Sequence, residues 1–74
     1  MKAIVWSKDS CSFCTQAKAL LESKSIEYEE HNITQGTWTR EQLLEAVPTA
    51  RTLPQIFLDE ELVGGFTELR KKLA

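Results

Sequence analysis

The sequence has few cysteines, prolines and glycines: two, two and three in 74 residues. Two cysteines only three positions apart cannot cross-link distant parts of the chain, which excludes a small secreted protein stapled by disulfides. The scarcity of proline and glycine excludes collagen-like and low-complexity classes, so we expect a chain that is packed throughout. At this length we expect one small domain over residues 1–74, with modest stability.

The sequence also lacks an excess of one charge and any long apolar run. Nine basic and eleven acidic residues give a net charge of −2, so we expect neither nucleic acid nor a membrane surface as a partner. The first apolar run covers only residues 3–6, which is too short for a signal peptide or a membrane span. By default we therefore expect a cytoplasmic protein.

Hydrophobic periodicity predicts the element order β-α-β-α-β-β-α. The short run at 3–6 does not alternate, which is typical of a strand buried on both faces. Thr39 with Gln42 forms a capping-box pattern for the second helix, which should end before Pro48. The other predicted elements are a helix from 12 to about 24, a strand over 26–33, a hairpin over 55–63 and a helix over 66–73. This order predicts a three-layer α/β fold with one mixed sheet.

Both cysteines, Cys11 and Cys14, lie where the first strand passes into the first helix. At a helix N-terminus, unpaired N–H groups favour an anion such as a thiolate, and Lys8 adds a nearby cation. Both effects lower the pKa of a cysteine from about 8.5 to roughly 3.5–7.5. Cys14 is one turn further on, within reach of Cys11 to close a disulfide.

A dithiol that shuttles electrons needs one accessible thiolate and a second thiol that resolves the mixed disulfide. The competing interpretation is that both cysteines are small buried hydrophobes, but a C-x-x-C pair in a βαβ unit favours a thioredoxin-like redox motif. A zinc site needs four ligands, and His31, the one further candidate, is expected to be a solvated strand residue.

Several segments of the chain, in the right order, resemble a glutaredoxin of the dithiol type. They are residues 6–8 with the motif at 11–14, then 17–21, 51–57 and 64–69. The resemblance implies a thioredoxin-like fold with four strands and three helices. It also implies a thiol–disulfide oxidoreductase that uses glutathione to reduce protein disulfides and glutathione mixed disulfides.

The resemblance implies that Cys11 is the nucleophile and Cys14 the resolving thiol. Pro54 matches the family's cis-proline, and Leu53 would pair its backbone with glutathione. The start of the last helix would hold the γ-glutamyl carboxylate, and Lys8 another carboxylate. The residues implied to bind glutathione are Lys8, Phe13, Thr52, Leu53, Pro54, Gly65, Phe66 and Thr67. For Arg51, the sequence supports a binding role and an ordinary surface role equally.

The motif departs from the family pattern, because Ser12 replaces the usual proline and Phe13 the usual tyrosine. In the family, a small residue in place of that proline accompanies a [2Fe–2S] cluster held between two subunits and glutathione, so a dimeric cluster carrier ligated by Cys11 is one alternative. Another is a dedicated electron donor to a partner such as ribonucleotide reductase. Glu60 stands where the family hairpin often has glycine, which leaves the turn type open. We expect a monomer.

Overall fold

A computed structural model describes residues 1–74 and contains seven helices and strands. In chain order they are β1 (Lys2–Ser7), α1 (Ser12–Ser23), β2 (Glu27–Asn32), α2 (Arg40–Ala46), β3 (Gln55–Leu58), β4 (Glu61–Gly64) and α3 (Phe66–Leu73). The strand order is β2-β1-β3-β4, with β1 parallel to β2 and the other pairs antiparallel. The predicted α/β fold with a four-stranded mixed sheet and three helices is confirmed.

Side chains of β1 alternate between two cores, one on each face of the sheet. Ala3 and Val5 are fully buried in a cluster with α1 and α3, whereas Trp6 packs against α2. The first cluster contains Ala3, Val5, Ala17, Leu21, Ile56, Leu58 and Leu69. The second contains Trp6, Leu43 and Val47. Helices therefore cover both faces of the sheet, which confirms the three layers and the double burial of β1.

The helix ends follow the predicted signals. The Thr39 side chain accepts a hydrogen bond from the Gln42 N–H at 3.1 Å, and the Gln42 side chain accepts one from the Thr39 N–H at 2.8 Å. This capping box begins α2, and the helix ends at Ala46, shortly before Pro48. None of the three helices has the length and apolarity needed to cross a membrane.

His31 differs from its expectation, because it is buried rather than solvated, with 5% of its surface exposed. Trp38, from the loop after β2, stacks on the imidazole with ring centroids 3.7 Å apart, and Trp6 meets the imidazole edge-on at 4.6 Å. The Nε2 atom is hydrogen-bonded to Glu29, and this bond holds the pKa of Glu29 below its usual range. Burial of His31 thus comes from an aromatic contact outside the strand, which the periodicity of β2 does not reveal.

The turn between β3 and β4 is formed by Asp59 and Glu60, which both have positive φ, at 48° and 71°. Two consecutive residues of this kind are typical of a type I′ hairpin turn. The Asp59 carboxylate accepts a hydrogen bond from the Lys2 N–H at 2.9 Å, which gives Asp59 a role of its own. Glu60 makes no such bond, so no side-chain hydrogen bond offsets the cost of its left-handed backbone conformation.

Replacement of Glu60 by glycine is therefore expected to stabilise the protein. Relief of the left-handed conformation outweighs the extra entropy of glycine in the unfolded chain, for a net gain of about 0.5 kcal/mol. Thermal unfolding measures the difference, with Glu45→Gly on exposed α2 as the matched control. The control is expected to lose about 1 kcal/mol. An equal loss from Glu60→Gly would contradict the strain at this turn.

Candidate redox site

Cys11 and Cys14 form a disulfide at the start of α1, with their Cα atoms 5.2 Å apart. Cys11 is the N-cap residue in extended conformation, and its Sγ accepts a hydrogen bond from the Cys14 N–H at 3.2 Å. Cys14 is only 2% exposed, whereas Cys11 is half-buried. An external thiol or disulfide can therefore approach the sulfur of Cys11 but not that of Cys14.

The Leu53–Pro54 peptide bond, which is cis as predicted, lies against this disulfide. The Sγ atom of Cys11 is 3.8 Å from the Leu53 carbonyl oxygen. Leu53 belongs to no helix or strand, and its N–H and C=O make no hydrogen bond with another backbone group. An extended peptide beside Cys11 would thus find one free donor and one free acceptor at Leu53.

A groove of about 250 Å³, here named the apolar groove, runs from Leu53 to the start of α3. It is lined by Phe13, Thr52, Leu53, Pro54, Gly65, Phe66, Thr67 and Glu68. Seven of the eight predicted glutathione-binding residues thus lie together. Phe13 is 56% exposed and stacks on Phe66 with ring centroids 6.0 Å apart. Phe13 is therefore not a core residue, and the two rings form one wall of the groove.

The first residues of α3 and its N-cap line this groove. Gly65 is the N-cap residue, and its N–H donates to Oε1 of Glu68 at 2.8 Å. A Cβ atom on Gly65 would lie 3.6 Å from the Pro54 carbonyl oxygen, which shows how closely α3 approaches the cis-proline. Phe66 and Thr67 belong to the first helical turn, where N–H groups have no helical acceptor. These two donors are available to an anion.

Lys8, the eighth predicted residue, lines a different groove on the other side of Leu53. This groove, here named the cationic groove, is lined by Lys8, Arg40, Leu43, Leu44, Ala50, Arg51, Thr52 and Leu53. Thr52 and Leu53 line both grooves, so the two form neighbouring parts of one surface. Sequence reasoning missed Arg40, because no local pattern places the first turn of α2 beside Leu53.

The loop before Cys11 is held by the end of β2 and the loop that follows it. Oδ1 of Asp9 accepts hydrogen bonds from the side-chain amides of Asn32 at 3.2 Å and Gln35 at 2.9 Å. The Asp9 N–H donates to Oγ1 of Thr34 at 3.0 Å. Asp9 thus fixes the loop that carries Lys8 to the cysteines.

A polar groove of about 510 Å³ borders both cysteines on the side of β2. The Glu30 carboxylate accepts hydrogen bonds there from Ser7 at 2.6 Å and Lys18 at 2.9 Å. The bond from Ser7, followed by that from Lys18, holds the pKa of Glu30 below its usual range. Glu30 is therefore ionised at neutral pH and fixes Lys18 one helical turn after Cys14.

The chain alone does not supply the ligands of a metal centre. No three side chains among its one histidine and its cysteines, aspartates and glutamates lie close enough to hold a metal ion. With the single half-buried sulfur of Cys11 as donor, an iron–sulfur cluster would need its other ligands from outside this chain.

The sequence and the fold both match known proteins. The family model described as glutaredoxin matches residues 3–63. Glutaredoxin 3 of Escherichia coli is 35% identical over 65 residues, which cover 88% of this chain and 77% of that protein. Glutaredoxin 1 of Francisella tularensis, solved with cacodylate, has a TM-score of 0.82 at 29% identity, over 97% of this chain and 91% of that one. A buckwheat glutaredoxin solved as a glutathione complex has a TM-score of 0.81 over 96% of this chain and 66% of that one, but at 24% identity it supports the fold alone.

Proposed function

Since the chain belongs to the glutaredoxin family and is a thiol–disulfide oxidoreductase, we propose that it uses glutathione to reduce protein disulfides and glutathione mixed disulfides. One observation carries the proposal: the accessible sulfur of Cys11 lies beside an unpaired backbone segment at Leu53 and a groove that ends on free N–H groups. A thiol-containing tripeptide with a carboxylate at each end matches this arrangement.

Each part of glutathione has a complementary group on this surface. Its cysteinyl sulfur meets Cys11, and its backbone pairs with the N–H and C=O of Leu53. The γ-glutamyl carboxylate binds the N–H groups of Phe66 and Thr67 at the positive end of α3. The glycyl carboxylate then points to the other side of Leu53, toward Lys8. Thr52, Pro54, Phe13 and Gly65 complete the walls of the apolar groove.

Reduction of a substrate proceeds in two thiol–disulfide exchanges. The Cys11 thiolate attacks one sulfur of the substrate disulfide, the S–S bond breaks, and the other sulfur leaves as a thiolate that takes a proton from water. The Cys14 thiol then loses its proton and attacks the Cys11 sulfur. This second exchange releases the substrate thiol and forms the Cys11–Cys14 disulfide seen in the structure.

Two glutathione molecules restore the dithiol. The thiolate of the first attacks the Cys11 sulfur, which leaves Cys14 as a thiolate and Cys11 in a mixed disulfide. The second attacks the glutathione sulfur of that mixed disulfide, releasing oxidised glutathione and the Cys11 thiolate. Burial of Cys14 supports this order, because it leaves Cys11 as the accessible target.

The proposal also includes the oligomeric state of the protein and its cellular setting. Residues 1–74 act as one glutaredoxin domain and as a monomer, since each chain contains the complete constellation around Cys11. We propose a cytoplasmic setting in which glutathione is the reductant. Ribonucleotide reductase is one of the disulfide-containing partners that the family suggests, and a thioredoxin reductase would be the reductant under the alternative of a dedicated donor.

The choice of reductant tests the proposed function. The oxidised protein is mixed with glutathione or 2-mercaptoethanol at equal thiolate concentration, and the appearance of the dithiol is followed by mass after alkylation. We expect glutathione to react at least about tenfold faster, because only it makes the backbone and carboxylate contacts. Equal rates, or reduction by a thioredoxin reductase but not by glutathione, would overturn the proposal.

A further inference from the structure

The cations of the cationic groove are not neutralised within the chain. The ion pairs of the structure are Lys18–Glu30 and Lys72–Glu61, and Glu29 contacts His31. Lys8, Arg40 and Arg51 are all exposed, and no carboxylate lines the groove that they share. Three positive charges thus converge on one side of Leu53 in a protein whose net charge is −2.

Positive and negative side chains lie on different faces of α2. Arg40 and Leu44 are four residues apart and lie on the face toward the cationic groove, where Leu44 is 38% exposed. Glu41 and Glu45 share a different face and do not line that groove. The surface beside Leu53 therefore combines the exposed side chain of Leu44 with positive charge only.

The apolar groove on the other side of Leu53 lacks cationic side chains. Its lining contains one carboxylate, that of Glu68, and no cation. Glu68 caps the Gly65 N–H, and the N–H groups of Phe66 and Thr67 remain at the end of this groove. Cationic side chains therefore line the surface on only one side of Leu53, along the direction in which a bound peptide would run.

We propose that the cationic groove docks an acidic segment of protein substrates, one in which glutamate or aspartate follows the disulfide cysteine within about three residues. The direction rests on the proposed function: glutathione places its γ-glutamyl end in the apolar groove, so chain that follows a bound cysteine enters the cationic groove. Such a segment goes beyond glutathione, whose chain ends one residue after its cysteine. Arg40 and Arg51 thereby select the substrate.

Two isomeric peptides test this direction without glutathione. Both carry one cysteine, two glutamates and two alanines with blocked ends, and the glutamates either follow or precede the cysteine. Each is supplied as its symmetric disulfide dimer to reduced Cys14→Ser protein, so that attack on either sulfur gives the same mixed disulfide and the same released peptide. For each peptide disulfide, the rate with the protein is divided by the rate with 2-mercaptoethanol, because this removes differences in leaving-group reactivity.

We expect the peptide with following glutamates to react about fivefold to tenfold faster than its isomer, and the ratio to fall below about twofold at about 0.5 M salt. When Arg40→Gln and Arg51→Gln are both added to the Cys14→Ser protein, the ratio of the two rates should approach one. When Arg40→Lys and Arg51→Lys are added in their place, most of the preference should remain. Lys24→Gln, at the far end of α1, should change nothing.

Equal rates for the two isomers would overturn the proposal, as would a preference that survives the loss of both arginines or disappears with Lys24→Gln. Thermal unfolding of each variant verifies that it is folded. Because no glutathione is present, this result is independent of the reductant test: a peptide preference without glutathione use contradicts the proposed reductant and leaves the docking surface intact.

Discussion

Cys11→Ser is expected to abolish reduction of both glutathione mixed disulfides and protein disulfides, by about 10³-fold or more. A serine hydroxyl remains protonated at neutral pH and cannot form the mixed disulfide with which each reaction begins. The structure leaves no substitute nucleophile, since the only other sulfur of a cysteine is that of Cys14, which is 2% exposed. The loss of activity is measured in a coupled assay, in which glutathione reductase oxidises its nicotinamide cofactor as it regenerates glutathione.

Cys14→Ser is the matched variant, because it removes the other sulfur of the same pair. Activity on a glutathione mixed disulfide should survive, since glutathione itself can attack the Cys11 mixed disulfide. Reduction of a protein disulfide should fall, because the resolving thiol is lost. Retention of activity in Cys11→Ser, or complete loss of both activities in Cys14→Ser, would show that the two cysteines have been given the wrong roles.

The fold follows from local signals that agree with one another. The apolar run of β1, the capping box at Thr39 and the proline after α2 each point to an element that the structure contains. Element ends differ by only one or two residues, because β1 extends to Lys2 and Ser7 where pairing with its neighbours continues. Patterns of period two or 3.6 carry this information within one element.

Contacts between elements are harder to predict from such patterns. Burial of His31 depends on Trp38, and the position of Arg40 beside Leu53 depends on how α2 packs against the sheet. Neither relation has a sequence period. Lys8 shows the same limit: its place near the cysteines follows from chain proximity, but its separation from the apolar groove follows from the path of residues 51–54 across the molecule.

The apolar groove also depends on the packing of α3, which a single core substitution tests. Leu69 is fully buried against α1 and the sheet, and it fixes the helix that carries Phe66 and Thr67. Leu69→Ala is expected to cost about 2–5 kcal/mol, through lost burial and the cavity that remains. For a domain of this size, that loss lowers the midpoint of thermal unfolding by at least about 10 °C.

Leu62→Ala is the control, since Leu62 on β4 is 44% exposed and the substitution is the same. Its cost should stay below about 1 kcal/mol. At a temperature where Leu69→Ala is still folded, the KM for glutathione should rise in that variant and remain unchanged in Leu62→Ala, because only the first loosens the N–H groups of α3. Equal unfolding midpoints for the two variants would mean that α3 is not held by this contact. An unchanged KM in a destabilised Leu69→Ala protein would separate the stability of α3 from the binding of glutathione.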